Sequence, residues 1–445
     1  MKLLQYREAM TYLQNLTKFG FNFGLERITE LMRRLDNPHK KLRVIHVGGT
    51  NGKGSTLAML ASILKAAGFR TGTFTSPHLH SYTERFRING IKITEKRIAE
   101  IITMLHPHLE AMVSEGFEHP TEFEVLTAGA FQFFYEEKVD FLVLEVGLGG
   151  LIDSTNIVNP LVSVITNVAM DHMDYLGHTL KDIAGIKAGI IKEGAPIVTA
   201  SRNEKVLEVI KNTSVEKCTP LTLVGQDVTW EALQDIEDNS GNLFPSEQRF
   251  RICGRLGSYE NLLIPLLGEH QLANAATATA AVEHLIDNKF GISQEHIREG
   301  LRKTCWPARL ELVRKTPPVL IDGAHNHHGA LRLRATLDKY FPNRKFVLVL
   351  GMLADKERAK VVSELAPRAR QVVVTKPNSD RAGEWNLVAE AARNFTEDVR
   401  LVESITEAVR LALAEVLPGE IICITGSLYM VAEAREELLG GSVDW

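Results

Sequence analysis

Cysteines are scarce in this sequence, and long apolar runs are missing from it. Its 445 residues contain four cysteines, Cys218, Cys253, Cys305 and Cys423, and no Cys-x-x-Cys pair. This argues against a zinc ribbon or a disulfide framework and is typical of a reducing compartment. No apolar stretch reaches the roughly 20 residues of a membrane helix, and the N-terminus turns polar too early for a secretory leader. We therefore expect a cytoplasmic protein without a membrane partner.

An excess of charge of one sign is also missing. The 51 Lys and Arg residues nearly balance the 55 Asp and Glu residues, which leaves a formal net charge of −4. A dominant basic surface for polynucleotides is therefore not expected, and we predict no nucleic-acid partner. The hydrophobic share of 44% and the charged share of 24% are typical of a folded globular chain. The length suits two or three domains.

The first 300 residues alternate between short apolar runs and amphipathic segments. The near-continuous apolar runs predict parallel strands buried on both faces, and they fall at 42–47, 140–146, 161–166 and 196–199. Helices are predicted over 4–18, 25–36, 55–67, 122–137, 179–191 and 269–286. Short Val, Leu and Thr runs broken by Gly, Asn and Asp predict an antiparallel β appendage near 218–265. Residues 1–300 are thus predicted to form one α/β domain.

A second alternating series begins after residue 300. Its predicted strands are 319–322, 345–350, 371–375 and 420–425. Its predicted helices are 329–340, 356–367, 385–395 and 404–415. Residues 301–445 are therefore expected to form a smaller, Rossmann-like α/β domain.

A glycine-rich loop follows the first apolar run and opens a helix. The segment from Gly48 to Ser55 reads Gly-Gly-Thr-Asn-Gly-Lys-Gly-Ser. Its glycines let backbone N–H groups turn toward phosphate oxygens, and the helix N-terminus adds partial positive charge. The general pattern G-x-x-x-x-G-K-[ST] is matched imperfectly, because Gly54 separates Lys53 from the hydroxyl of Ser55. The alternative is a plain turn with an exposed lysine, but the strand–loop–helix context favours an N-terminal P-loop mononucleotide-binding domain.

Two further side chains follow apolar strands of this domain. Glu145 ends the run 140–146, where a carboxylate could hold Mg²⁺ at the sheet edge that carries the glycine loop. A solvent-facing glutamate is the alternative. His172 follows the run 161–166, but a lone histidine is more often structural, and imidazole is an unusual ligand for magnesium. The residues alone leave both assignments open.

Several motifs in order resemble those of the folylpolyglutamate synthase/dihydrofolate synthase family, which is related to the Mur ligases. The first is the segment His46–Ser55 that contains the glycine loop. The others, in chain order, are Ser76-Pro77-His78-Leu79, Leu144–Gly150, Asp171-His172, Lys187-Ala188-Gly189-Ile190, Asn274-Ala275-Ala276, Trp306–Glu311 and Asp322–Asn326. They span nearly the whole chain, and together they are far more specific than any one motif.

The resemblance implies an ATP-dependent ligase that adds L-glutamate to a folate through an acyl phosphate. The implied substrates are ATP, L-glutamate and either tetrahydrofolate or dihydropteroate, and the implied cofactor is Mg²⁺, with a monovalent cation such as K⁺ beside it. We expect a monomer. Two alternatives stay open: dihydrofolate synthase activity alone, or a nucleotide-binding homologue that lacks ligase activity.

The resemblance also assigns roles to individual residues. Those implied for ATP are Asn51, Gly52, Lys53, Gly54, Ser55, Asn274, Arg309 and Asp322. Those implied for the metal ion are Ser76, Glu145 and His172. Those implied for catalysis are Lys53, Lys187, carbamylated at its amine, and His325. Phe123 lies in a segment that resembles the family's pterin-binding segment and is implied for folate binding, and Arg85 is the candidate cation for the anionic folate.

The chain departs from the family pattern at four places. Leu151 stands where the family usually has arginine, which removes a cation beside the implied metal site. Ala308 replaces a glycine before Arg309, and His327 replaces a proline. Gly185-Ile186 replace the charged residues that usually precede the lysine. None of these changes removes Lys53, Glu145, His172, Arg309 or Asp322.

Overall fold

The fold is known here from a computed structural model, which describes residues 3–16, 24–233, 245–342 and 344–441. The end of the helix predicted over 4–18 and residues 234–244 of the predicted appendage lie outside these described residues. The chain divides into two compact units. Of the described residues, the first unit holds 3–16, 24–233, 249–263 and 272–304, and the second holds 245–248, 264–271, 305–342 and 344–441.

An eight-stranded sheet forms the centre of the first unit. Its strands are β1 (Val44–Gly48), β2 (Thr71–Phe74), β3 (Phe86–Ile88), β4 (Ile91–Lys92), β5 (Phe141–Glu145), β6 (Val162–Ile165), β7 (Ile197–Thr199) and β8 (Leu221–Leu223). Their spatial order is β4-β3-β2-β5-β1-β6-β7-β8. Pairing is parallel from β2 to β8 and antiparallel between β2, β3 and β4. Every residue of β1, β5 and β6 is buried, as strands covered on both faces require.

Helices cover this sheet. They are α1 (Tyr6–Asn15), α2 (Glu26–Arg34), α3 (Lys53–Ala66), α4 (Glu95–Ser114), α5 (Glu122–Glu136), α6 (Met173–Leu176), α7 (Leu180–Ala188), α8 (Glu204–Glu216), α9 (Glu269–Asp287) and α10 (Gln294–Arg302). The aromatic side chains of Phe74, Phe131 and Phe134 are fully buried in a core cluster that also takes in residues of α1, α2 and α4. Burial of such large apolar side chains is the main stabilising contribution in this half of the chain.

The appendage differs from its prediction at its beginning. Strand β8 pairs in parallel with β7 and extends the main sheet. Only the later strands form a separate three-stranded sheet of order β11-β10-β9, made by β9 (Thr229–Ala232), β10 (Gln248–Cys253) and β11 (Ser258–Ile264). Thr222 of β8 is buried and contacts the His284 ring nitrogen of α9 across 2.9 Å, so β8 has a covered face that its short apolar pattern did not reveal.

The second unit is built on a six-stranded sheet. Its strands are β12 (Glu311–Lys315), β13 (Pro318–Ile321), β14 (Phe346–Leu350), β15 (Ala369–Val374), β16 (Asp398–Leu401) and β17 (Ile421–Thr425), in the spatial order β12-β13-β17-β14-β15-β16. All pairs are parallel except β12–β13. The helices are α11 (His327–Tyr340), α12 (Arg358–Leu365), α13 (Leu387–Ala392), α14 (Ile405–Glu415) and α15 (Leu428–Leu439). The predicted fold class, two α/β folds with parallel-rich sheets, is confirmed.

Within the described residues, no helix is both long enough and apolar enough to cross a bilayer.

Candidate active site

The glycine loop joins β1 to α3, and its backbone is fixed from the side by the segment that follows β6. Gly49 adopts a φ of 135°, a conformation that disfavours any side chain. The N–H of Thr50 donates to the Asn167 carbonyl and the N–H of Asn51 donates to the Asn167 side-chain oxygen, both across 2.8 Å. The hydroxyl of Thr166 donates to the Asn51 carbonyl across 2.7 Å. Hydrogen bonds to Thr166 and Asn167, which directly follow the neighbouring strand β6, therefore fix the backbone of the loop.

The N-terminus of α3 faces the same loop. Gly52, with a φ of 85°, is its N-cap, and a Cβ placed on Gly52 would lie 2.6 Å from the side-chain oxygen of Asn274 in α9. Gly54 and Ser55 lie in the first turn and are buried. The first N–H groups of a helix carry partial positive charge and have no partner within the helix. Such a terminus, preceded by a glycine loop, can bind phosphate.

Two lysines share one backbone carbonyl in this loop. The Lys53 ammonium donates to the Gly49 carbonyl across 3.2 Å and the Lys187 amine to the same oxygen across 3.1 Å. Lys187 lies in α7 and is buried. Burial, together with the neighbouring charge of Lys53, lowers the pKa of Lys187 to about 7. A neutral amine is therefore accessible at Lys187 near neutral pH, whereas ordinary lysines stay protonated.

Strand order brings Glu145 beside the loop. Glu145 ends β5 and pairs in register with Val47 of β1. Its carboxylate is buried and accepts a hydrogen bond from the N–H of Ser76 across 3.4 Å. Ser76 follows β2, the other neighbour of β5, so two of the three predicted metal ligands are adjacent.

His172 lies after β6, in the stretch that leads into α6. It has a φ of 49°, and its Nε2 lies 3.8 Å from a carboxylate oxygen of Asp171. Glu145 is thus the last residue of β5, whereas Ser76 and His172 lie in the segments that follow β2 and β6, and all three strands are close to β1 in the sheet.

The oxygen ligands in this region suit magnesium. Mg²⁺ is usually held by one or two carboxylates together with water and substrate phosphates. Glu145 supplies a carboxylate and Ser76 a hydroxyl, so both fit this chemistry. Within the described ranges, no group of three or more His, Cys, Asp and Glu side chains is arranged to hold a metal ion.

A buried polar network supports the segment after Glu145, and the sequence did not predict its role. Asp153 accepts hydrogen bonds from the N–H groups of Leu148, across 2.7 Å, and Thr155, across 3.0 Å. The Thr155 hydroxyl lies 2.9 Å from His46 Nε2 of β1. Burial raises the pKa of Asp153, although these hydrogen bonds act against that shift. The network ties the Gly-Leu-Gly-Gly segment to β1.

The departure at Leu151 lies next to α7. Its N–H donates to the Ile186 carbonyl across 2.8 Å, and its side chain is half exposed. The Asn156 side chain donates to the carbonyls of Leu151 and Gly189 and joins the same segment to the end of α7. Leu151 and Ile186, both apolar, are therefore backbone neighbours beside Lys187.

The predicted folate residues occupy two neighbouring places. Phe123, in the first turn of α5, stacks on Phe74 with ring centroids 6.0 Å apart and closes against Gly147, where a Cβ would overlap its ring. Arg85 donates to His78 Nδ1 across 3.0 Å and lies over the Tyr82 ring at 5.2 Å. Phe123 thus packs partly against core residues, and Arg85 lies in a loop where it contacts the rings of His78 and Tyr82.

In the second unit, the predicted residues lie on two adjacent loops, one before β12 and one after β13. Asp322 is buried, and its carboxylate accepts hydrogen bonds from the N–H groups of Leu310 and Ala324 across 2.9 and 2.8 Å. Burial raises the pKa of Asp322, and the charge of Arg309 opposes that shift. His325 Nδ1 lies 2.9 Å from the Gly323 carbonyl. The structure therefore places Arg309, Asp322 and His325 in one loop cluster of this unit.

Comparison with known proteins agrees with these features. The model of the Mur ligase middle domain matches residues 47–282, and that of the Mur ligase glutamate ligase domain matches residues 308–428. A dihydrofolate synthase/folylpolyglutamate synthase of Bacillus subtilis (strain 168) is 39% identical over 441 residues, which cover 97% of this chain and 99% of the relative.

Solved structures give the same result. A Mycobacterium tuberculosis folylpolyglutamate synthase complexed with ADP and AMPPCP has a TM-score of 0.89 and 33% identity, covering 97% of this chain and 99% of its own. An FPGS–AMPPCP–folate complex has a TM-score of 0.84 and 33% identity, with coverage of 98% and 100%.

The glycine loop at a helix N-terminus and the carboxylate at the end of the adjacent strand β5 define a nucleotide-binding α/β protein of the P-loop class. The two domain matches and the full-length relatives narrow this class. The chain belongs to the folylpolyglutamate synthase/dihydrofolate synthase family of the Mur ligases.

Proposed function

We propose that this chain is an ATP-dependent ligase that joins L-glutamate to a folate. The observation that carries the proposal is the glycine loop with Lys53, placed beside Glu145 in a chain whose relatives align over their full length. The solved relatives hold ADP, AMPPCP and folate, which supports ATP and a folate as substrates here.

The reaction follows from the poor leaving ability of carboxylate oxygen. A folate carboxylate attacks the γ-phosphorus of ATP, the bond from that phosphorus to the β–γ bridging oxygen breaks, and ADP leaves. The amine nitrogen of glutamate then attacks the acyl phosphate carbon, inorganic phosphate leaves and the nitrogen loses a proton. Lys53 and Arg309 are proposed to offset phosphate charge, while the loop N–H groups orient the triphosphate.

Glu145, Ser76 and His172 are the proposed ligands of Mg²⁺. The ion, when bound, neutralises phosphate charge and polarises the γ-phosphoryl group. Asn274 and Asp322 are proposed to contact the nucleotide, His325 to act at the reacting groups, and Phe123 and Arg85 to contact the folate. The monovalent cation and the monomeric state stay predictions, and the cytoplasm is proposed because it supplies both ATP and L-glutamate.

Carbamylation of Lys187 is part of the proposal. A carbamate forms when a neutral amine adds to CO₂ and loses a proton, and the lowered pKa of Lys187 supplies that neutral amine near pH 7. The resulting carbamate would put an anion in place of one of the two lysine amines that contact the Gly49 carbonyl. A mass increase of one CO₂ on Lys187 in the native protein, absent in Lys187→Arg, is the expected result.

The decisive experiment measures ADP release that depends on L-glutamate. We expect Lys53→Ala to lower this rate about 100-fold or more, because a charge aimed at the transferred phosphoryl group is lost. Lys65→Ala is the matched control, since Lys65 lies in the same helix and contacts the Asn89 carbonyl instead. Full glutamate-dependent turnover in Lys53→Ala would refute the assignment of the loop.

The same assay separates the two folate activities. The Bacillus subtilis relative carries both names in its description, which favours a chain that acts on dihydropteroate as well as on tetrahydrofolate. Comparing these two acceptors, each with ATP and L-glutamate, tests whether one activity or both are present. ATP binding without phosphate release on either acceptor would instead identify a homologue that has lost ligase activity.

A further inference from the structure

The loop that carries Arg309 has a strained backbone. Ala308 has a φ of 57° and Leu310 a φ of 46°, so both residues beside Arg309 adopt the left-handed conformation. This conformation is unfavourable for residues with a Cβ and persists only where the surroundings enforce it. Something in the second unit must therefore hold this loop.

Three backbone hydrogen bonds supply that constraint. The N–H of Ala308 donates to Glu311 Oε2 and the N–H of Leu310 to Asp322 Oδ2, both across 2.9 Å. The N–H of Gly323 donates to the Ala308 carbonyl, also across 2.9 Å. Two of the three partners of this segment belong to the Asp322 loop, but the first is the carboxylate of Glu311.

Glu311 is in turn held by Arg435. The Arg435 Nε lies 3.1 Å from each carboxylate oxygen, and its Nη2 lies 3.0 Å from Oε1. Arg435 is 5% exposed and lies on α15, more than a hundred residues further along the chain. A forked guanidinium fixes both the position and the plane of a carboxylate, which a lysine cannot do.

We propose that Arg435 and Glu311 are positioning residues that hold Arg309 toward the nucleotide. The inference rests on the proposed role of Arg309 in ATP binding. Without Arg435, the Glu311 carboxylate loses the partner that orients it, and the acceptor of the Ala308 N–H is no longer held in place. The loop then relaxes from the left-handed conformation, and the direction of the Arg309 side chain changes with it.

The first test compares two ion pairs of the same unit. Arg370 and Glu420 form an equivalent forked pair, with distances of 2.7 and 3.1 Å, that does not contact the Arg309 loop. We expect Arg435→Met to weaken AMPPCP binding with Mg²⁺ about tenfold, as for a lost charge-assisted contact. Arg370→Met removes the more exposed of the two arginines and should leave this affinity unchanged. Equal affinities in both variants would overturn the proposal.

Conservative variants distinguish a loss of positioning from a general loss of folding. Arg435→Lys keeps the charge but not the fork, so we expect nucleotide affinity to stay low although the protein folds. Glu311→Gln keeps an acceptor for the Ala308 N–H but weakens the pair, so we expect an intermediate affinity. Wild-type affinity in Arg435→Lys would show that charge alone matters and would contradict the positioning role.

A double variant shows whether Arg435 acts through Arg309. Because the effect is proposed to pass through that side chain, Arg435→Met in an Arg309→Ala background should cause no further loss of affinity. If the fold-losses of nucleotide affinity in the two single variants multiply in the double variant, the inference is overturned while the proposed function stays intact. An Arg309→Ala variant with unchanged affinity would instead contradict the proposed role of Arg309 itself, and the inference would fall with it.

Discussion

The Gly49 carbonyl accepts hydrogen bonds from two lysines, which is an unfavourable arrangement for two full charges. Lys53 and Lys187 both lie within 3.2 Å of that oxygen. Like charges at such a separation repel, and burial of Lys187 adds a desolvation penalty. The protein relieves both costs by lowering the pKa of Lys187 to about 7. Phosphate near the loop would relieve the same repulsion by giving Lys53 a stronger acceptor.

Ala308 offers a test of backbone strain at a single residue. Its φ of 57° is a conformation that glycine adopts without steric cost. We expect Ala308→Gly to stabilise the second unit by about 0.5–1 kcal/mol, because relief of strain exceeds the added entropy of the unfolded chain. Denaturant unfolding measures the change.

The matched control for Ala308→Gly is Ala330→Gly. Ala330 is a buried residue of α11, where glycine should destabilise by about 1 kcal/mol. Destabilisation of similar size in both variants would show that the left-handed conformation at Ala308 carries no strain.

Sequence motifs identified the residues that carry charge, and they missed those that hold them. Lys53, Glu145 and Arg309 stand in short motifs with an evident chemistry. Asn167 and Arg435 do not, because each acts on a loop more than a hundred residues away in the chain. Asn167 had one usable signal, its place directly after an apolar strand next to β1. Arg435 had none, since a helical arginine is ordinarily a surface residue.

At the scale of an element, the glycine loop depends on a close approach of two backbones. A Cβ on Gly49 would overlap the hydroxyl of Thr166, and its φ of 135° disfavours any side chain. We therefore expect Gly49→Ala to abolish detectable AMPPCP binding, measured by calorimetry.

Gly68→Ala serves as the control for that loop variant. Gly68 follows α3 with a φ of 86°, and a Cβ added there would have no other atom within 4 Å, so only backbone strain is introduced. Nucleotide affinity should stay at the wild-type value in this variant, with a small loss of stability. Normal AMPPCP binding by Gly49→Ala would rule out close packing of the loop against Thr166.

Most buried strands could be predicted from their apolar runs, whereas a helix that contains proline, a strand that contains glycine and an edge strand could not. The apolar runs of β1, β5, β6, β14 and β17 agree with the structure to within two residues at each end. Helix α4 was not predicted, and it contains Pro107, which ordinarily signals a helix end. Strand β2 is only four residues long and contains Gly72, and β12 lies at a sheet edge and has no fully buried residue. Tertiary packing stabilises these elements against their local preferences.

On the scale of the whole molecule, each unit places some of its candidate residues in segments that follow the carboxyl ends of parallel strands. In the first unit these are the ends of β1, β2, β5 and β6, and in the second unit the end of β13. This is where open α/β sheets bind ligands, because helix N-termini and loops converge there. The sequence predicted β1, β5, β6 and β13, whereas β2 and the strand order that makes Ser76 and Glu145 neighbours are seen only in the structure.

Acid stability is a property of the whole chain, because several histidines are buried without charge. Burial lowers the pKa of His46 to about 3 and those of His39 and His284 to about 4, against an ordinary value of 6.5. As pH falls through 6.5 the unfolded chain binds protons that the folded chain does not, so stability decreases until the folded histidines titrate. At about pH 5, the fully buried His46 alone contributes a loss of about 2 kcal/mol.

His46 provides the sharpest measurement of this effect. It is fully buried beside Thr155, and the substitution His46→Gln keeps a side chain able to hydrogen-bond that hydroxyl without titrating. We expect the free energy of unfolding to fall less steeply between pH 7 and about pH 5 in His46→Gln than in the wild type. The difference in slope should equal the contribution of one titrating histidine. Parallel curves over this range would mean that His46 binds protons equally in the folded and unfolded chains, and the assignment of a neutral buried His46 would have to be abandoned.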